Sequence, residues 1–174
     1  MKAIDIANLF IVRHGEDEYL TNLKLNKLVY YAQVESLRST GKVLFDEPVE
    51  AWEYGPVERS VYNVFRRYGK KQRVTNPAGT VNGEAVDGMV SKIVDEVAKY
   101  YGPLSAFDLV RFSHRPGSAW EKAFSPDADN EITPDMILSS TDGKERPNIE
   151  RSLAWGIATA EREYPNALRM LEDS

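Results

Sequence analysis

Between Thr21 and Thr40 the apolar residues fall on two nearly opposite arcs of one helix, a pattern few arrangements can satisfy. At 100° per residue, Leu25, Leu28, Val29 and Ala32 form one arc, and Leu23, Tyr30, Val34 and Leu37 form the other. A helix that is apolar on two sides needs cover on both. The segment at about 21–40 is therefore predicted to be the central helix of a compact helical domain. Thr21 suits its cap and Gly41 its stop. Asn22, Asn26 and Gln33 fill one gap between the arcs, and Lys24, Lys27, Tyr31, Glu35 and Arg38 fill the other. An unpaired buried amide costs about 1–3 kcal/mol, so Asn26 or Gln33 is expected to bond the backbone of a neighbouring loop or strand.

The flanking sequence supplies the cover. Residues 3–14 read as a helix with Ala3, Ala7, Phe10, Ile11 and His14 on one face, ended by Gly15. Residues 49–54 alternate with a period of two, which predicts a short strand stopped by Gly55-Pro56. Pro56 then suits the first turn of a helix whose apolar face is Val57, Val61, Val64, Phe65 and Tyr68. A second strand is expected at about 72–75, before the loop Asn76-Pro77-Ala78-Gly79. Glu84 to Tyr101 carries the clearest helical stripe, and Ser105 with Asp108 forms a capping box for a helix over about 105–114. Short helices follow at 117–123 and from Thr133-Pro134; residues 141–148 are polar and expected to be mobile. Ile149 to Leu171 reads as helical with a break near Tyr164-Pro165. The fold class expected is mainly α with a small antiparallel β-sheet, in a single domain over 1–174.

A chain of 174 residues can bury a substantial core. It has no cysteine, which excludes a disulfide framework, a thiolate zinc site and a cysteine nucleophile together. No apolar run approaches the roughly 18 residues of a membrane span, and Asp5 interrupts the short apolar run at the start, so the cytoplasm is the expected location. Neither a P-loop nor G-x-G-x-x-G is present, and Asp127, Asp129 and Glu131 lack the central glycine of a calcium loop; no metal or cofactor is expected. His14 and His114 each end a predicted helix, where packing or the helix dipole accounts for them. Catalysis would require His114 to pair with Asp108 or Glu121. The chain is read as non-catalytic.

Charge is unevenly spread. Arg59 to Gly83 carries six basic residues and no acidic one, so the remaining chain holds −11 to give the net −5. Within it, Arg66, Arg67, Lys70 and Lys71 are candidates for contact with an acidic protein face. Residues 66–73 also raise the alternative of a nucleic-acid-binding regulator, which the net negative charge disfavours. Lys24, Lys27, Tyr31 and Arg38, on the charged side of the central helix, are the other candidates for an exposed partner surface. Tyr30, Trp52, Tyr54, Trp120 and Trp155 read first as core.

Three blocks together resemble the Panacea (SocA-like, phage-associated GepA-type) family. Leu23-Lys24-Leu25-Asn26-Lys27-Leu28-Val29-Tyr30-Tyr31-Ala32-Gln33 is similar to that family's LKLxKLLYYAQ helix. Gly41 to Pro48, running into Glu50-Ala51-Trp52-Glu53-Tyr54-Gly55-Pro56-Val57, is similar to GxPLFxExIEAWxYGPV. Leu109 to His114 followed by Trp120 is a looser match to a third segment, with Arg111-Phe112-Ser113 before the histidine. The resemblance covers about 3–124 and leaves 125–174 as a C-terminal helical extension. It implies a prokaryotic antitoxin that binds a toxin protein encoded by a neighbouring gene, in some members presenting it to a protease. Leu25, Leu28, Asn26, Gln33, Trp52, Tyr54, Gly55, Pro56, His114 and Trp120 are expected to build the fold rather than a site.

Overall fold

The computed structural model describes residues 1–79 and 86–148. Helix α1 (Ala3–His14) and helix α2 (Asn22–Thr40) lead into a hairpin of β1 (Val49–Trp52) and β2 (Gly55–Glu58). There follow α3 (Arg59–Phe65) with a 3-10 turn at Arg66–Tyr68, α4 (Gly88–Tyr101), α5 (Ala106–Ser113), α6 (Ala119–Ala123), β3 (Glu131–Ile132) and α7 (Pro134–Ser139). The sheet is antiparallel in the order β2-β1-β3. The expected class, mainly helical with a small antiparallel sheet, is the one found.

Helix α2 is the axis of the molecule. Its cap is Thr21, whose hydroxyl accepts from the Lys24 N–H, and it stops at Gly41 in the left-handed region (φ +71°). The helices α1, α3, α4, α5 and α7 and the strand β2 all pack on it, so Leu25, Leu28, Val29, Ala32 and Val34 are buried together with Tyr30 and Leu37. The amides in its polar gap are paired. Asn26 Oδ1 accepts from the Glu58 N–H at 3.2 Å, and Gln33 donates to the Phe45 carbonyl at 2.9 Å while accepting from the Leu44 N–H at 2.6 Å. Two core amides thus fasten the hairpin and the loop before it to the central helix.

Local chemistry explains the other ends. Ser105 and Asp108 form the expected capping box of α5, and Thr133 caps α7 with Pro134 in its first turn. Helix α4 starts at Gly88, capped by Asp87, rather than at Glu84; residues 80–85 lie outside the described residues.

Three expectations are corrected. Gly55-Pro56 does not stop a strand and open a helix. Glu53 and Tyr54 make the turn, and Gly55 (φ +99°) and Pro56 begin β2, opposite Trp52 and Ala51. Proline is tolerated there because β2 is an edge strand. Residues 72–75 are not a strand either; they are irregular, held by the Val74 N–H on the Leu20 carbonyl and by Asn8, which both donates to and accepts from the Ala78 backbone at 2.8 Å. The third strand comes instead from Glu131–Ile132. Val64, expected on the buried face of α3, is 37% exposed, because the helix is covered along Val61 and Phe65 only. The expected helix over 149–171, with Trp155, lies outside the described residues.

Candidate functional site

The three sequence blocks meet in one cluster, buried at Lys27 and Ser113 and half-buried at His114 and Trp120. Lys27 comes from α2, Gly55 and Pro56 from the hairpin, Ser113 and His114 from the end of α5, and Trp120 from α6. Lys27 is fully buried and donates from Nζ to the Pro56 carbonyl at 2.8 Å. Gly55 is required beside it, since a Cβ there would lie 2.5 Å from Ser113 Oγ and 2.9 Å from Lys27 Cε. His114 stacks on Trp120 at a 3.7 Å centroid distance, and the Trp120 indole donates to the Trp52 carbonyl at 2.6 Å. Burial, unrelieved by any carboxylate, pushes the Lys27 ammonium down to about 7. Burial, then the Lys27 charge, pushes His114 down to about 4, so its ring is neutral near pH 7.

The expected exposure of Lys24, Lys27 and Tyr31 is therefore wrong. All three are buried. Lys24 ends on the Gly102 carbonyl at 2.6 Å and on Glu18 at 2.8 Å, and Tyr31 stacks on Tyr101 at 4.2 Å. Helical periodicity could not show this, because α2 is surrounded on its charged side as well, and long lysine stems lie against apolar neighbours while their ends reach carbonyls. Arg38 is mostly covered, paired with Glu35, which also takes Arg146 at 2.6 Å. Burial acts to raise the Glu35 carboxyl, but the two guanidinium hydrogen bonds outweigh it and hold the group below its usual range.

A second buried hub lies where sequence reasoning placed mobile polar chain. Asp142, fully buried, accepts from the Tyr30 hydroxyl at 2.8 Å and the Ala119 N–H at 3.0 Å, and pairs with Arg115 at 2.9 Å. Residues 141–148 are thus tied at one end into the core, a role that composition alone conceals. Neither carboxylate proposed for His114 reaches it: Asp108 is used on Ser105, and Glu121 accepts the Gly117 N–H. Among the described residues no group of three or more histidine or acidic side chains is placed to hold a metal ion. Asp129 instead meets Arg59 at 2.9 Å.

The basic window is smaller than its charge suggests. Arg59 is engaged by Glu50 and Asp129, and Arg73 donates to the Gly15 and Glu16 carbonyls. What remains is Arg66, Arg67 and Lys70, exposed, and Lys71, half-buried, none in an ion pair among the described residues. Beside them stands Tyr19, 60% exposed, its hydroxyl donating to the Lys71 carbonyl at 3.1 Å. Sequence reasoning missed Tyr19, which belongs to no helical stripe; only the contact between the 15–20 loop and residues 71–74 places it there. No helix among the described residues is long and apolar enough to cross a membrane.

A mainly helical domain whose signature residues form an interior polar cluster, with a basic aromatic face outside it, is the class defined by this architecture. Residues 25–121 match the model of the antitoxin SocA-like family, Panacea domain, and the chain belongs to that family. It is 28% identical over 128 residues to Antitoxin SocA of Caulobacter vibrioides (strain NA1000 / CB15N), covering 67% of this chain. The match spans 66% of that relative's own length, just under two thirds. No solved structure matches the chain.

Proposed function

We propose that this chain is a non-catalytic antitoxin that neutralises a toxin protein by direct binding, and that the toxin is encoded by a neighbouring gene. Membership of the antitoxin SocA-like family carries the reading. The binding face assigned to it is Arg66, Arg67, Lys70 and Lys71 with Tyr19 as the aromatic anchor. Of the positions expected to contact a partner, these basic residues alone combine full exposure (Arg66, Arg67 and Lys70) or half-burial (Lys71) with the lack of an internal ion pair among the described residues. Arginine and tyrosine are the residue types that dominate binding energy at interfaces. An acidic partner surface complements them.

The test is co-expression of the adjacent open reading frame with and without this chain. Rescue of growth, lost on Arg66→Glu with Lys70→Glu, supports the reading and its face; a harmless neighbour refutes the reading, and full rescue by the double variant refutes the basic face. Delivery of the toxin to a protease is a further part of the proposal. It requires the toxin's half-life to fall when this chain is present. A titration with duplex DNA belongs in the same series, because tight, salt-sensitive binding lost on Lys70→Glu would replace the toxin reading with a nucleic-acid one.

A further inference from the structure

Glu35, on the central helix, holds a guanidinium that arrives from 111 positions further along the chain. Arg146 donates to Glu35 Oε1 at 2.6 Å, and its guanidinium carbon lies 4.2 Å from the centre of the Tyr100 ring. Glu96 stands 3.6 Å from the same guanidinium. A carboxylate of α2, with a ring and a second carboxylate of α4, thus receives one planar cation. The Glu35 side chain is 7% exposed and that of Arg146 34%, so the acceptor is set in the core and the donor reaches it from outside.

The segment that carries Arg146 has two unlike halves. In the first, Ser140 and Asp142 are buried and the Thr141 N–H donates to the Gly117 carbonyl at 3.0 Å. The second, Gly143-Lys144-Glu145-Arg146, has no apolar side chain, so hydrophobic burial contributes nothing to holding it. Lys144 and Glu145 are exposed, and their N–H groups donate only to the Thr141 carbonyl within the same turn, at 3.1 and 2.9 Å. Glu145 meets Arg115 at 3.2 Å with its own side chain 63% exposed, a weak tie in water. Pro147, the next residue, is buried. Arg146 therefore supplies the strong polar attachment of this half.

Closure leaves unmet hydrogen bonds beneath it. Arg38, which shares Glu35 with Arg146, has its Nε buried without a partner among the described residues. So is the hydroxyl of Tyr101, which the Arg38 and Glu35 charges both reach. Buried polar groups of this kind cost free energy that solvent would relieve. The ion pair and these two groups act in opposite directions, which keeps the closed form only modestly favoured.

We propose that residues 143–147 are a strap fastened across α2 and α4 by Arg146, which opens locally ahead of the rest of the fold and more readily as salt rises. Opening gives water access to Glu35, Arg38 and Tyr101 and frees the point from which the chain continues toward residue 174. Asp142 and its partners stay in place. The device does not depend on the antitoxin reading, because it involves only groups of this chain.

The experiment follows amide hydrogen exchange in the full chain, for the parent, Arg146→Gln and Arg146→Lys, at about 0.05 and 0.5 M sodium chloride. The Lys144 and Glu145 amides report the strap, the Thr141 amide the anchored half, and the Val29 amide the core. Arg146→Gln is expected to speed exchange at Lys144 and Glu145 at least about tenfold, with Thr141 and Val29 within about twofold of the parent. Higher salt speeds the two strap amides about threefold or more in the parent and leaves them unchanged in Arg146→Gln. Arg146→Lys, which keeps the charge and loses the planar fork, falls between the two. Unchanged exchange at Lys144 and Glu145 in Arg146→Gln would overturn the proposal. Equal acceleration at Thr141 and Val29 would do the same by showing that the whole fold opens, as would an equal salt response in parent and Arg146→Gln.

Discussion

Lys27 and Pro56 are joined inside the core by a 2.8 Å hydrogen bond from the ammonium to the backbone carbonyl. The lysine is fully buried and meets the first residues of an edge strand from 29 positions away. The bond fixes the hairpin to the central helix and leaves a titratable group in a dry place, so it has a measurable signature in pH.

Lys27 titrates at about 7 in the folded chain and near 10.4 in the unfolded one. Between those values the unfolded state holds the proton and the folded state does not. Stability from this group therefore rises with pH across that window, by at most about 1.4 kcal/mol per unit. Lys27→Met should remove the rise. Urea unfolding at pH 7, 8 and 9 measures it, below the range in which the buried tyrosines, whose hydroxyls burial raises, begin to ionise.

His114 behaves differently at acid pH. Its folded value of about 4 lies below the ordinary 6.5, so stability is lost as pH falls from 6.5 toward 4, when the unfolded chain alone takes up the proton. His114→Phe keeps an aromatic ring against Trp120 and should lose less stability between pH 6.5 and 5, by about 1–2 kcal/mol relative to the parent. Comparing the two proteins cancels the carboxylates they share.

Gly55→Ala combines a strained backbone, φ +99°, with a Cβ too close to Ser113 and Lys27. The expected cost is about 2–4 kcal/mol. For a chain of this size that lowers the melting midpoint by roughly 5–15 °C. An unchanged melt would show that the hairpin shifts freely.

Asp142→Ala leaves the Tyr30 hydroxyl, the Ala119 N–H and the Arg115 guanidinium without their shared acceptor. Loss of about 3–5 kcal/mol is expected, against about 1 kcal/mol for Tyr30→Phe, which removes one bond. A double-mutant cycle between the two positions should show coupling well above additivity error.

On the surface, Arg66→Glu with Lys70→Glu should leave the melt within about 0.5 kcal/mol of the parent, because both side chains are exposed. If the proposed toxin docks on this face, its association should slow at least about tenfold at low salt, with the difference shrinking as salt is added. Stopped-flow mixing at two ionic strengths measures both effects.

Much of this architecture can be read along the chain. The spacing of Leu25, Leu28, Val34 and Leu37, the caps Thr21 and Ser105, and the stop at Gly41 are local features, set by side-chain periodicity and by hydrogen bonds within a turn. The burial of Asn26 and Gln33 also followed from their place between two apolar arcs. Those relations span a few residues, and sequence carries them directly. What only the tertiary structure decided was which charged groups remain outside. Lys24, Lys27 and Tyr31 share a helical face that looks solvated in projection, yet α4, α5 and the hairpin close over it. Tyr19 and Lys71 become neighbours, and Asp142 reaches Tyr30, through contacts between segments 52 and 112 residues apart. Periodicity reports which side of a helix a residue occupies; what covers that side depends on where the rest of the chain comes to lie.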